Sequence, residues 1–135
     1  MAKSSGVAMT AMSIDDSGGT PRDIRDDINA FGLSTPRAMQ DVTGLDNAGM
    51  DRLALLADVA FDPSILFNTA ANRSHDVFKT VISTDVARTV TITVGGATFA
   101  PEIKFTDYNL SRDNGGAITI KAPGVLATGA VPVWA

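Results

Sequence analysis

The sequence predicts a mainly β domain, a β-sandwich or barrel-like sheet, with one flanking α-helix. Val90, Ile92 and Val94 alternate with threonines, and Gly95-Gly96 follows as a tight hairpin turn. Of the 15 acidic residues only Glu102 is a glutamate, and the short aspartate side chain suits turns and strand ends. Short strands separated by glycine turns are typical of sandwiches and small barrels.

The composition indicates one folded domain over residues 1–135. A hydrophobic content of 44% argues against disorder, and a net charge of −4 argues against a general nucleic-acid-binding surface. Residues 15–62 hold ten aspartates and four arginines, so we expect one acidic surface. Without cysteine the chain has no disulfide and no thiolate site. The start of the chain has no sustained apolar run, so we expect cytoplasmic synthesis and no membrane insertion.

The first half of the chain predicts short elements separated by turn-forming residues. Ile24, Ile28 and Phe31 recur at four- and three-residue spacing, which predicts a helical turn or a short helix ended by Gly32. Pro36 has no N–H, so we expect it to interrupt a strand or mark an edge. The predicted elements are a flexible arm over 1–8, a strand over 8–14, a turn over 15–21, the helical turn over 22–31, a strand over 33–42, a long polar loop over 41–50, a helical turn over 51–56, a strand over 57–61 and an apolar run over 65–67.

Residues 68–82 predict the one helix, around which the two β-rich halves pack. Asn68 or Asn72 would cap its start, and Lys79 near its end suits the helix dipole. Its small or apolar residues recur at three- and four-residue spacing on one face: Ala71, Ser74, Phe78, Val81 and Ile82.

The segments after the helix predict the remaining strands. Pro101 weakens the start of a return strand whose candidate buried residues are Phe99, Ile103 and Phe105. A large aromatic residue near a chain end, here Trp134, predicts an anchor that docks the tail onto its own domain or a neighbour. The predicted elements are a strand over 88–94, the return strand over 98–108, a turn over 114–116, a strand over 117–121 and a last strand over 131–134.

His75 is the only histidine, and no partner for catalysis is evident, because Asp76 would point to another side of the helix. We therefore predict a structural or capping role. One histidine without cysteine leaves only carboxylates as metal ligands, so we predict no metal and no cofactor. The pairs Asp15-Asp16 and Asp26-Asp27 lack the ligand spacing of a calcium loop, and we interpret them as solvated turn carboxylates.

No motif supports an enzyme. The glycine pairs at 18–19, 95–96 and 115–116 lack the spacing and following lysine of a phosphate loop, and they predict turns. Neither Ser17, Ser34 nor Ser64 lies in a nucleophile-elbow motif, so we assign no catalytic residue.

Five segments are characteristic by their order and by the distances between them: 14–24 (IDDSGGTPRDI), 41–46 (DVTGLD), 51–58 (DRLALLAD), 75–78 (HDVF) and 131–134 (VPVW). By their order and spacing they resemble the tail tube proteins of long-tailed bacteriophages, and the resemblance covers most of the chain. At 135 residues we expect a compact member of that family, without the additional C-terminal immunoglobulin-like domain.

The resemblance implies a virion protein whose hexameric rings stack into a hollow tail tube. The tube would surround a tape-measure protein, join a tail terminator and baseplate or tail-tip proteins, and conduct DNA into the host without binding it specifically. One sheet of each subunit would join its neighbours into a barrel that lines the lumen. An N-terminal arm (1–12), a long inter-ring loop (40–56) and a C-terminal segment (128–135) would contact adjacent rings.

The clustered aspartates predict an acidic lumen, since an acidic wall repels phosphate and lets DNA slide. Two alternatives stay open. A ring-forming neck or capsid decoration protein would have a similar sandwich and would not elongate. An enzyme or sugar-binding β module is disfavoured, because the chain has no histidine-based constellation and few aromatic residues for a binding platform.

Overall fold

The computed structural model describes residues 9–135, which form twelve strands and one short helix. The predicted arm over 1–8 lies outside the described residues. The elements in chain order are β1 (Met9–Asp15), β2 (Pro21–Asp23), β3 (Ile28–Ser34), β4 (Arg37–Asp41), β5 (Arg52–Ala57), β6 (Ala60–Leu66), α1 (Ser74–Phe78), β7 (Arg88–Val94), β8 (Ala97–Phe99), β9 (Glu102–Phe105), β10 (Asn109–Arg112), β11 (Ile118–Lys121) and β12 (Gly124–Leu126).

Ten strands belong to one antiparallel sheet, whose path runs β10-β11-β6-β12-β9-β7-β1-β2. Off this path, β3 pairs with β6 and β8 pairs with β7. Strands β4 and β5 pair only with each other. The predicted mainly β fold with one flanking helix is confirmed.

The core lies where alternate residues of the sheet and one side of α1 meet. In β7, Val90 and Ile92 are buried while the threonines between them are partly exposed, as the alternation predicts. Phe99 and Ile103 are buried as predicted, and Phe105 packs partly buried against the core. Phe105 contacts the rings of Phe61 and Phe78 edge-on, with centroids 6.3 and 5.1 Å apart.

The predicted helix over 68–82 is wrong in length, because only Ser74–Phe78 is helical. Asn72 has a φ of +63°, which no α-helix accommodates, so the chain turns there before the helix begins. Residues 79–83 continue as turns. No helix among residues 9–135 has the length and apolar character that a helical membrane crossing requires.

Two buried polar side chains hold α1 in place. The Asp27 carboxylate accepts hydrogen bonds from the Ser74 N–H at 3.2 Å and the Asn68 amide at 3.0 Å. Arg88 is 2% exposed and donates to the carbonyls of Val77 and Asp15. Burial lowers the pKa of Arg88 from its usual value, and nearby aspartates oppose this effect. Asp27 is therefore a buried structural group, which corrects the interpretation of Asp26-Asp27 as solvated.

Two predicted helical turns are strands. Over 22–31 the chain forms β2 and the start of β3, and Ile24 and Ile28 owe their helical spacing to one tight turn, in which the Ile28 N–H donates to the Ile24 carbonyl at 3.2 Å. Residues 51–56 lie mostly in β5. The predicted loop over 40–56 is consequently a β-hairpin whose loop is shorter, with β4 ending at Asp41 and β5 beginning at Arg52.

Prolines shift the other strand boundaries. Pro36 separates β3 from β4, as predicted. The strand predicted over 57–61 is β6, which runs from Ala60 to Leu66 and contains Pro63. On one side β6 pairs with β3. On its other side residues 64–66 pair with β11 and residues 60–61 pair with β12, so Pro63 lies between the two partners. A missing N–H costs no ladder bond at that point. Pro101 divides the predicted strand over 98–108 into β8 and β9.

The chain ends also differ from prediction. Residues 9–12, assigned to the arm over 1–12, lie in β1. The predicted last strand over 131–134 does not form, but the Ala135 backbone exchanges two hydrogen bonds with Thr98, at 2.8 and 3.0 Å. Trp134 stacks on Phe99 with centroids 4.8 Å apart, so the predicted aromatic anchor docks on its own domain.

Candidate assembly surfaces

The β4–β5 ribbon, residues 37–57, concentrates the exposed apolar side chains of the chain. Among the described residues, 17 large hydrophobic side chains are exposed, and seven of them lie in this ribbon. Leu45 at its tip and Leu56 near its base have 109% and 87% of their reference surface exposed. The seven are Met39, Val42, Leu45, Met50, Leu53, Leu55 and Leu56. Such a patch is typical of a protein–protein interface.

Both faces of the ribbon are open. Gln40 pairs with Leu53, and Met39 pairs with Ala54, so successive pairs point to opposite faces. All residues of β4 are exposed, and in β5 only Ala57 is partly covered. A two-stranded ribbon is marginally stable by itself in water, so a partner is expected to cover it.

The tip of the ribbon, residues 42–51, has an ordered backbone. The Thr43 hydroxyl donates to the Asp41 carboxylate at 2.6 Å, and it accepts the Asp51 N–H at 2.8 Å. The Thr43 N–H adds a bond of 2.9 Å to the same carboxylate. The Thr43 bonds hold the pKa of Asp41 below its usual value. The predicted long loop is thus closed by one threonine, which leaves Leu45 projecting into solvent.

The base of the ribbon borders a groove, which we call the base groove. Its walls are Arg37, Leu55 and Leu56 of the ribbon on one side and Leu126 and Val131 on the other. The groove encloses about 360 Å³ and is mainly apolar. The Arg37 Nε donates to the Leu55 carbonyl at 3.1 Å, which fixes its side chain along this wall.

The predicted C-terminal segment over 128–135 crosses the domain surface from β12 to β8. Val131, Val133 and Trp134 are 55%, 75% and 52% exposed. The backbone bonds of Ala135 to Thr98 therefore hold down a segment that presents apolar side chains to solvent. Together with the ribbon base it forms a second exposed apolar area.

A four-stranded part of the sheet has two open edges. Strands β3, β6, β11 and β10 lie side by side in that order, with all neighbours antiparallel. Among the described strands, β3 pairs only with β6, and β10 pairs only with β11. Each end strand therefore presents unpaired backbone groups, which can add a strand of another molecule.

The outer face of this four-stranded sheet carries mainly small side chains, and Leu66 of β6, 40% exposed, is a large apolar residue among them. Since alternate residues face the core, the register places the others on the outer face. The formal charges on it are Asp62 of β6 and Lys121 of β11, which cancel. Its residues include Ala30, Gly32, Ser34, Ala60, Ser64, Ser111 and Thr119. Ser34 and Ser64, to which the sequence assigns no catalytic role, thus lie on this outer face.

His75 lies in an aromatic cluster. Its Nδ1 is 2.7 Å from the Tyr108 hydroxyl, and its ring centroid is 5.0 Å from that of Phe67. Burial raises the pKa of Tyr108. This contact ties α1 to the segment before β10, which is a structural role of the kind predicted.

The turn residues predicted from the sequence, Asp16, Ser17 and the glycine pairs, lie in turns of the structure. The Asp16 carboxylate accepts the Gly18 and Thr20 N–H groups and the Arg22 side chain, at 2.9 to 3.1 Å, and the Thr20 bond is the main cause of its lowered pKa. Ser17 lies in the same turn. Each predicted glycine pair contains a residue with positive φ: Gly19, Gly95, Gly96 and Gly116. Within residues 9–135 no three His, Cys, Asp or Glu side chains are grouped for a metal ion.

Sequence analysis missed the apolar ribbon, since it assigned 51–56 to a helical turn. A signal was present, because Leu53, Leu55 and Leu56 follow a polar, glycine-containing segment. The open edges carry no sequence signal, because they depend on which strands pair at long range.

Comparison with known proteins reveals similarity to solved structures, among them two chains from gene transfer agent particles. No family profile matches the chain. No curated protein matches it either. A chain in the C6-symmetric tail of an empty gene transfer agent particle superposes with a TM-score of 0.76 at 15% identity, covering 98% of this chain and 99% of that one. A chain of the native gene transfer agent virion gives a TM-score of 0.71 at 12% identity, covering 92% and 95%. The chain therefore has the fold of a gene transfer agent tail protein, as its resemblance to tail tube proteins predicts.

Proposed function

We propose that this chain is a structural subunit of a phage-like tail tube. Six copies would form a ring, and rings would stack into a hollow tube around a tape-measure protein, between a tail terminator and the baseplate or tail tip. Such a tube belongs to the virion and conducts DNA to the host cell. The match over nearly the full length of a C6-symmetric tail protein supports this proposal.

The observation that carries the proposal is the pair of open edges at β3 and β10. They belong to opposite sides of one four-stranded sheet, so β10 of one copy can pair with β3 of the next. A contact between two different edges is heterologous, and it closes into a ring when the rotation between copies allows it. Ring closure removes both edges from solvent, which solves the aggregation hazard that they pose in a monomer.

In such a ring the small-residue face of the four-stranded sheet is the natural wall of the channel. A continuous sheet closed into a barrel has one inner face, and large or basic side chains there would obstruct or bind DNA. This face carries Asp62 and Lys121 as its formal charges. Leu66 is a large apolar residue on this face, and the charge of Lys121 is balanced by that of Asp62. We accordingly propose a nearly neutral wall of mainly small side chains in place of the acidic wall that the aspartate count predicts. A map of a tube with an acidic or basic bore would overturn this assignment.

The ribbon over 37–57 and the C-terminal segment over 128–135 remain outside this ring contact. Their exposed apolar side chains favour contacts between stacked rings, as the resemblance implies for the segments 40–56 and 128–135. The arm over 1–12 keeps the same proposed role for the part before β1.

Electron microscopy of the purified protein at high concentration, with its mass in solution, tests the function. We expect hollow tubes with sixfold rings. Discrete closed rings that never elongate, even with an initiating tail-tip complex added, would favour a neck or decoration protein. Monomers that persist with that complex present would overturn the proposal.

A further inference from the structure

We propose that the ribbon tip of one copy inserts into the base groove of a second copy. The inserted side chain is Leu45, and the groove is the one between Leu55 and Leu56 of the ribbon and Val131 of the C-terminal segment. This inference rests on the proposed function, since it names the contact that would join one ring to the next.

The tip cannot fill the groove of its own chain. The groove adjoins the pair Arg37 and Ala57, whereas the tip begins beyond the pair Asp41 and Arg52. Four residues of strand separate these pairs, which is about 13 Å, and Leu45 lies farther along the chain. The two apolar surfaces are held apart by the ribbon, so each needs a different molecule as its partner.

Charge supports a second copy as that partner. Arg37 lies in the groove wall and, among the described residues, forms no ion pair. Asp46, next to Leu45, likewise forms none among the described residues. Asp58 is the acidic residue that lines the groove, and its carboxylate accepts a hydrogen bond from the Val59 N–H at 2.8 Å. When Leu45 enters the groove, Asp46 arrives beside the Arg37 guanidinium, which is bonded through Nε to the Leu55 carbonyl and has no ion pair among the described residues.

The contact is directional. Tip and groove lie at opposite ends of one ribbon, so each copy offers its tip to one neighbour and its groove to another. Head-to-tail contacts of this kind continue without limit unless a rotation closes them. This property distinguishes the proposed contact from a two-fold contact, in which two tips would meet each other.

Cysteine cross-linking tests the geometry, because the natural chain has no cysteine. Leu45→Cys and Val131→Cys single variants are mixed at equal concentration and oxidised, and cross-linked products are resolved by mass. We expect the mixed product to exceed each homodimer more than about tenfold, since docking raises the local thiol concentration to the millimolar range. The control replaces Val131→Cys by Ile82→Cys, because Ile82 is more exposed than Val131, at 92% against 55%, and lies outside the base groove. A homodimer through Cys at position 45, or equal cross-linking with the control, overturns the inference.

Charge reversal tests the proposed ion pair. We expect Arg37→Asp and Asp46→Lys each to reduce tube length or number by at least about tenfold, the effect of about 1.4 kcal/mol per contact. The double variant restores the pair with reversed sign, and we expect it to recover assembly. Double-variant tubes as rare as those of the single variants would overturn the pairing of these two residues.

The outcomes separate this inference from the proposed function. Normal tubes with cross-links at the control position leave the function standing and refute the insertion. Specific cross-links between positions 45 and 131 in an assembly that is not a hollow tube support the insertion and refute the function. Neither cross-links nor tubes would refute both.

Discussion

The ribbon over 37–57 and the ten-stranded sheet, which we call the body, contain the same types of apolar residue, but the body buries them and the ribbon exposes them. In the body, Phe61 and Ile65 of β6 are buried to 1% and 0% exposure. In the ribbon, Leu53 and Leu56 remain 52% and 87% exposed. Because both segments are strands of similar hydrophobicity, pattern alone does not reveal which of them faces the core of its own chain.

Their polar groups differ in the same way. The Asp27 carboxylate in the body is buried and holds the start of α1, whereas the Asp41 carboxylate in the ribbon is exposed and bonds to its neighbour Thr43. The body is stabilised by long-range contacts, and the ribbon is stabilised by local ones. We infer that the body determines the fold and that the ribbon mediates assembly, and four predictions test this difference.

Removal of the ribbon tip should give the largest effect. We expect deletion of residues 44–50 to leave a folded protein and to abolish stacking of rings, because the deleted residues contact none of the core while Leu45 and Met50 are exposed. Circular dichroism would report the fold and electron microscopy the tubes. Tubes of normal length from this variant would show that the ribbon tip has no part in stacking.

A pair of truncations to alanine compares the two regions directly. Phe61→Ala in the body should lower the free energy of unfolding by about 3–5 kcal/mol, because it removes a buried ring that contacts Phe31 and Phe105. Leu56→Ala in the ribbon should change it by less than about 0.5 kcal/mol. Urea denaturation of both variants as monomers measures the difference. Equal losses would mean that the ribbon packs on the body in solution.

The sequence predicted the elements whose pattern is local. Val90, Ile92 and the glycine turn after β7 specify a hairpin within a dozen residues, and their prediction is confirmed. The prediction of a helix over 68–82 was wrong in length. Asn72 with its positive φ and the Asp27 carboxylate, which lies 47 residues before Ser74 and accepts its N–H, determine where the helix begins. A partner at that distance leaves no periodic signal.

The sequence predicted the candidate assembly surfaces as whole segments and did not identify which residues in them are exposed. The resemblance named the segments 40–56 and 128–135, and the structure shows exposed apolar side chains in both. That 51–56 is a strand follows from pairing with β4, since its leucines fit a helical period as well as a strand. Which faces remain uncovered depends on the tertiary fold, so only the structure identifies them.

Glycine positions extend the comparison to backbone packing. A Cβ on Gly124 in β12 would lie 2.3 Å from Cγ2 of the buried Ile103, so Gly124→Ala should lower the free energy of unfolding by about 1–3 kcal/mol. Gly49 in the ribbon tip has no atom within 4 Å of its built Cβ, so Gly49→Ala should be nearly neutral. Thermal unfolding of the two variants decides the point. A neutral Gly124→Ala would show that β9 and β12 can move apart without loss.

The smallest expected effect concerns the pKa of Asp41, whose carboxylate closes the ribbon tip. Because bonds from Thr43 favour the ionised form, Asp41 should titrate below 3.8, and Thr43→Val should move its pKa toward 3.8. A carboxyl whose folded pKa is lowered stabilises the folded form above its unfolded pKa, and the stabilisation disappears as pH falls through the folded pKa. The order of the tip should therefore persist at neutral pH and weaken below pH 3.8, while the buried core of the body keeps its chemical shifts. Carboxyl and amide NMR titrations of the two proteins measure both quantities. An unchanged Asp41 pKa in Thr43→Val would mean that the Asp41 carboxylate is not held by Thr43 in solution and that local bonds do not order the tip.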